Sequence, residues 1–201
     1  MANPDIQRMH NHFSIEEQRK RYPDAFGDTI KAGSAYEELI ADFIKRHPQH
    51  DIGLYKTKHE QFNIGESKDG VEIKLDRVSQ RTKRLSIEVA EKTRIDGEWR
   101  PSGIYRNDNT RFYIQGNLIA AWVFRRSHLQ RIDAAMQNHR VFNVKTIESF
   151  FLSFREATET CIALCSIEHD AYYDRKCLDF IVEYARECNR LYRLPLEDYF
   201  A

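Results

Sequence analysis

The stretch Gly65–Asp76, GESKDGVEIKLD, decides how the rest of the chain is read. Ser67-Lys68-Asp69-Gly70 has turn composition, because Asp bonds its own backbone and Gly accepts angles that other residues resist. The residues that follow alternate. Val71, Ile73 and Leu75 fall on one face of a strand, and Glu72, Lys74 and Asp76 on the other. Read as a hairpin, the stretch puts Glu66 opposite Glu72, with Cβ atoms about 5 Å apart.

On a solvated face these charges have no consequence. In a cleft they bring two carboxylates and an ammonium together, as metal-assisted phosphodiester hydrolysis requires. Glu72-Ile73-Lys74 matches the acidic-x-Lys half of the PD-(D/E)XK signature, on an alternating strand after a turn, with a second strand at 85–92 (LSIEVAEK) and a Gly-Ser-x-x-Glu helix upstream. Over about residues 30–125 the sequence resembles the PD-(D/E)XK nuclease superfamily, and more closely the restriction-endonuclease-like folds of phage and bacterial DNA enzymes. The Pro-Asp pair of that signature is missing. Asp51, Glu60, Glu66 and Asp69 are the candidates for its carboxylate, and the hairpin favours Glu66.

The resemblance implies an endonuclease that cuts DNA with Mg²⁺, Mn²⁺ being accepted. Glu66 and Glu72 would hold the metal, with the Ile73 carbonyl as a further oxygen. Glu37 would be an outer ligand or a ligand of a second metal, and Lys74 would orient or deprotonate the attacking water. Glu37 lies in a helix predicted over 34–47, beside the apolar stripe Ala35, Tyr36, Leu39, Ile40, Phe43 and Ile44. Two readings of it stand: a cleft ligand, or the third residue of a capping box begun by Ser34. Glu88 alternates with Leu85, Ile87 and Val89, and joins the acidic side if its strand pairs with 71–76, either as a further metal ligand or as a charge that neutralises Arg84 or Lys74. An alternative register makes Asp76 and Glu88 the acidic pair, with Ala90 where lysine is wanted.

With 31 basic and 31 acidic side chains among 201 residues, the chain is neutral overall. Neutrality argues against a general nucleic-acid binder, yet it can conceal opposed patches. Arg77–Arg84, RVSQRTKR, is basic without an acid, and Arg125 and Arg126 form a second pair. Arg77, Arg81, Lys83, Arg84, Arg125 and Arg126 are therefore the predicted phosphate contacts. DNA is the partner this implies, and a homodimer is compatible with it. No apolar run approaches the roughly 20 residues of a membrane helix, and the N-terminus has no apolar signal core. That reads as a cytoplasmic protein, in which Cys161, Cys165, Cys177 and Cys188 are thiols. Cys161, Cys165 and His169 would share a helical face, but without a paired Cys-x-x-Cys motif zinc is the lesser reading.

The fold class expected is α/β (α+β): a central mixed β-sheet flanked by helices, restriction-endonuclease-like, with a helical C-terminal region. Residues 1–127 would hold the nuclease-like core. Residues 128–201 would pack helices on it, at 128–137, 145–155 and 171–193. Two other functions compete with the nuclease. One is a DNA-binding or interaction protein on the same fold with degraded chemistry. The other is a structural protein whose charged strand face is solvated.

Overall fold

The computed structural model describes residues 15–27, 31–48, 51–57, 59–60, 64–136 and 141–179. It is a mixed α/β fold built on two sheets. The elements in order are α1 (Ile15–Arg21), α2 (Pro23–Phe26), α3 (Ala32–Arg46), β1 (Val71–Leu75), α4 (Ser79–Thr82), β2 (Arg84–Glu91) and β3 (Arg100–Pro101). A 3₁₀ turn at Gly103–Tyr105 leads to β4 (Phe112–Gly116), β5 (Ala120–Arg125), α5 (Arg126–Ala135), β6 (Val141–Val144), β7 (Ile147–Ser153), α6 (Phe154–Thr160), β8 (Ala163–Ser166) and β9 (Ala171–Asp174).

The larger sheet is mixed, in the order β1-β4-β5-β8-β9. β1 runs parallel to β4, and the remaining pairs are antiparallel. Side-chain alternation sorts its two faces. Val71, Ile73, Ile114, Ala121, Val123 and Cys165 meet Tyr36, Leu39, Ile40 and Phe43 of α3 in one core. Tyr113, Trp122 and Phe124, on the other face, meet Leu85, Ile87, Val89, Phe150 and Leu152 of the second sheet, β3-β2-β7-β6. The result is a helix layer, a five-stranded sheet and a four-stranded sheet. Each buried aromatic or aliphatic side chain contributes about 1.5–3 kcal/mol of hydrophobic stabilisation, so these two cores hold the layers together.

α3 forms where its apolar stripe predicts and buries Tyr36, Leu39, Ile40, Phe43 and Ile44. Lys45 and Arg46 lie in its last turn, where the negative end of the helix favours cations. The helix starts earlier than predicted. Lys31 takes the N-cap position without a side-chain cap bond, so Ser34 is already inside the helix and the capping box with Glu37 does not form.

The region after residue 127 departs from its helical expectation. The predicted helix at 128–137 is present as α5. Residues 147–153, predicted helical, form β7, which pairs along β2. Residues 171–174 form β9, with 175–179 helical; the rest of the predicted 171–193 helix lies outside the described residues. This strand turns Phe150 and Leu152 inward, and a helix starts at Phe154. β-branched and aromatic residues suit a pleated sheet with a core to cover. The shared face of Cys161, Cys165 and His169 also dissolves. Cys161 ends α6, Cys165 lies in β8 and His169 in the turn after it. Cys188 lies outside the described residues.

Candidate functional site

Residues 67–70 make the predicted turn, with the Gly70 amide donating to the Ser67 carbonyl at 3.3 Å. Its two arms do not form a ladder, which corrects the hairpin. β1 finds its strand partner in β4 instead, and Ser67 makes an isolated bridge to Leu54. Gly70 sits at φ +67, and a Cβ there would strike the Asn109 carbonyl. The glycine therefore lets the turn lie against the 109–111 segment, where Arg111 and Phe112 amides donate to its carbonyl.

β1 is an edge strand, and side chains from the turn serve the edge that no strand covers. Ser67 Oγ accepts from the Val71 amide at 2.8 Å, and Glu66 Oε2 accepts from the Ile73 amide at 3.0 Å. That bond draws Glu66 inward, leaving the residue 8% exposed. Its other oxygen accepts from Lys74 Nζ at 2.7 Å, and the same ammonium lies 3.0 Å from Glu72 Oε1. The structure thus brings Glu66, Glu72 and Lys74 together, by a side-chain bridge rather than by cross-strand pairing.

The cluster is short of positive charge. Glu72 is 1% exposed, and its Oε2 is buried without a hydrogen-bond partner. Burial, with the Glu66 carboxylate adding to it and Lys74 opposing, pushes the Glu72 carboxyl up to about 7. Glu37, half-buried on α3, is likewise pushed up to about 7, first by burial and then by Glu66. Burial disfavours the Lys74 ammonium, yet Glu72 and Glu66 outweigh it and hold the amine well above its ordinary range. Tyr113, opposite Glu72 in the β1–β4 register, is fully buried, and burial and Glu72 hold its phenol protonated.

Glu88 does not join this group through pairing. Its strand belongs to the second sheet, where Glu88 faces Ser149 and accepts from Ser102 Oγ. It nevertheless lines, with Lys74 and Tyr113, a cleft of about 440 Å³ between the sheets. Asp76, the other half of the alternative pair, lines the same cleft, and its carboxylate accepts from the amides of Ser79 and Ser86 and from Gln115 Nε2. The other candidates lie apart from the cluster. Asp51 makes a surface ion pair with Lys45, Glu60 accepts from Thr57, and Asp69 accepts from the Gly53 amide.

The basic residues divide into two kinds. Arg126 bonds the Ile104, Arg106 and Thr110 carbonyls and pairs with Asp108, and Arg77 donates to Ala25 and Gly27 carbonyls. Both hold the fold, so neither is a free phosphate contact. Arg81, Lys83, Arg84 and Arg125 are exposed. Asp108 escaped sequence reading because Asn-Asp-Asn is ordinary turn composition. It is buried, leaves Oδ2 without a partner, and adds to the upward push on Glu72.

Among the described residues, no three His, Cys, Asp or Glu side chains form a ready-made metal-binding group, and no helix is long and apolar enough to cross a membrane. Comparison with protein-family models, with curated proteins and with solved structures found no match.

Proposed function

We propose that this protein is a metal-dependent nuclease of restriction-endonuclease-like fold that hydrolyses DNA phosphodiester bonds at Glu66, Glu72 and Lys74. One observation carries the reading: an edge-strand Glu-x-Lys whose buried carboxylate keeps one oxygen unpartnered, beside a second carboxylate and a third on α3. A buried acceptor without a donor is costly and calls for an explanation. A hard divalent cation fits this donor set, because its ligands are carboxylate oxygens.

Glu66 and Glu72 would hold Mg²⁺ or Mn²⁺, with Glu37 as an outer ligand. When bound, the metal supplies a Lewis acid and an activated water. The chain's own residues do the rest. Glu66, fixed by the Ile73 amide, keeps one oxygen aimed at the cluster. Lys74 lines the cleft, where its ammonium orients the water and offsets charge on the phosphoryl group. The water gives up a proton as its oxygen bonds to phosphorus, one P–O ester bond breaks, and the departing oxygen takes up a proton in its place.

The experiment is plasmid nicking in Mg²⁺ by the wild type, Lys74→Ala and Glu72→Gln. Nicking by the wild type alone supports the reading; equal nicking by all three removes this site from the chemistry.

A second reading rests on the tie between Lys74 and both carboxylates at 2.7 and 3.0 Å. Such a satisfied ion pair can serve only to close the β1 edge, in a DNA-binding protein without catalysis. Saturable DNA binding with no cleavage of any DNA form would favour it.

A further inference from the structure

The cleft that holds Lys74 continues into a second hollow of about 440 Å³. Asp76, Val78 and Ser86 line both. Phe151 and Arg84 complete the second hollow, which lies where β2 begins. Each hollow has room for about one drug-sized group, roughly a nucleotide.

Three features of this groove point to one ligand. First, Arg84 lines the second hollow, and the neighbouring Arg81 and Lys83 are exposed, in a chain of zero net charge. Second, Phe151 offers a half-buried aromatic surface in the outer hollow beside Arg84. Third, Val78 is 56% exposed on the partition between the hollows, an apolar side chain left in water amid cations. A cationic track with an aromatic platform is how proteins hold unpaired strands, because every base has a stacking face and every nucleotide a phosphate. An exposed aliphatic side chain can also wedge against a base step and part it from its neighbour.

We propose that the substrate is a nucleic-acid strand with unpaired nucleotides at the cut, not a continuous duplex. One base stacks on Phe151 and its phosphate meets Arg84. Val78 separates it from the next nucleotide, whose phosphate reaches Lys74. A continuous duplex keeps its bases stacked within it and leaves Phe151 without a partner. This inference rests on the nuclease reading for the role of Lys74 and names the substrate form for that site.

The test measures fluorescence anisotropy of a labelled 15-nucleotide single strand and of the matching duplex, in EDTA, followed by cleavage of both and of a forked duplex in Mg²⁺. The single strand should bind at least 10-fold more tightly than the duplex, and the fork should be cut near its junction. Phe151→Leu should weaken single-strand binding about 10-fold, at the scale of one lost base–aromatic stack. Arg84→Ser, at an exposed position, should weaken it and flatten its salt dependence by about one unit of slope, which covers the case in which Phe151→Leu does not fold. Equal or tighter binding of the duplex overturns the inference, and so does single-strand affinity unchanged in both variants. A duplex nicked faster than the fork sinks the unpaired-strand inference and leaves the nuclease. No cleavage of any form, whatever binds, sinks the nuclease reading itself.

Discussion

Helix α3 touches two clusters of charge, and they are built on opposite balances. At its C-terminal end Arg46 bonds Asp42 at 3.2 Å and Asp170 at 2.8 Å, His47 Nε2 lies 3.0 Å from Asp170, and Arg21 reaches Asp42 at 3.2 Å. Two carboxylates there meet two guanidiniums and an imidazole. Earlier in the helix, Glu37 joins Glu66 and Glu72 around the single ammonium of Lys74. The first cluster pins α3 to the turn after β8 and is complete in itself. The second holds more negative charge than it can neutralise. A fold gains nothing from such an excess, since repulsion among buried carboxylates opposes folding. The deficit is what a structural role does not need and a cation-binding role does.

The largest expected effect separates the clusters by activity. Lys74→Ala should lower Mg²⁺-dependent nicking by roughly 10³-fold, the scale of removing a preorganised electrostatic group, with metal affinity kept or improved. Asp170→Asn should leave nicking by the folded protein unchanged. Turnover of Lys74→Ala within a few-fold of wild type, at saturating Mg²⁺, would erase the distinction.

Stability should show the reverse order. Asp170 is 1% exposed and bonded to Arg46 and His47, and removing one partner of a buried pair costs about 3–5 kcal/mol. Its φ of 47 is a conformation that Asn accepts readily, so Asp170→Asn should isolate the charge and lower Tm by roughly 10 °C. Lys74→Ala should lower it less, because its side chain is 37% exposed and screened by water. Calorimetry of both variants checks the order, and a larger loss in Lys74→Ala would make that cluster the structural one.

The pH dependence of the metal-free protein sharpens the comparison. Glu37 and Glu72 rise from the usual 4.5 to about 7. Between those values the folded state binds more protons than the unfolded chain, so their contribution to stability is present at low pH and lost as pH rises toward 7. This is opposite in sign to an ordinary salt-bridged carboxylate. In EDTA, Glu72→Gln should therefore gain Tm relative to wild type at pH 8 and lose that advantage at pH 5. A constant difference across this range, by scanning fluorimetry, would mean that Glu72 is ionised at no cost in the fold.

How much of this was legible in sequence follows the range of the interactions. The alternation of Val71–Leu75 and the stripe of α3 are local; β1 stands where the pattern put it, and α3 buries the predicted stripe although it starts earlier than predicted. β1's partner was not legible, since a parallel neighbour 41 residues on in the β1–β4 register leaves no local signal. Glu66 reached the cluster by a route that the sequence misplaced, through the Ile73 amide instead of a hairpin ladder. Arg126 and Arg77 look in sequence like Arg84, and only tertiary carbonyls reveal them as clamps. β7 misled because a seven-residue segment with four apolar side chains suits either helix or strand until its neighbours are known.

Glu37 gives the smallest and most discriminating effect. As a cap it would have held the start of α3, and Gln would have replaced it without loss, since Gln also serves in a capping box. The helix starts at Ala32 with Lys31 as its N-cap, so that role is gone. What remains is a half-buried carboxylate that burial, and after it Glu66, push toward the neutral form. Glu37→Gln keeps the volume and hydrogen-bonding capacity of the side chain and removes only the charge. In EDTA at pH 8 it should raise Tm by a degree or two, less than Glu72→Gln, because water screens the more exposed group. With Mg²⁺ the sign should reverse: the rise in Tm through metal binding should be smaller than in wild type, and nicking should fall about 10-fold, as for loss of an outer-shell partner. Thermal unfolding with and without Mg²⁺, beside a nicking assay, reads both. If Glu37→Gln nicks at the wild-type rate and gains as much Tm from Mg²⁺, the site is Glu66, Glu72 and Lys74 alone, and α3 contributes only the apolar face that packs on β1.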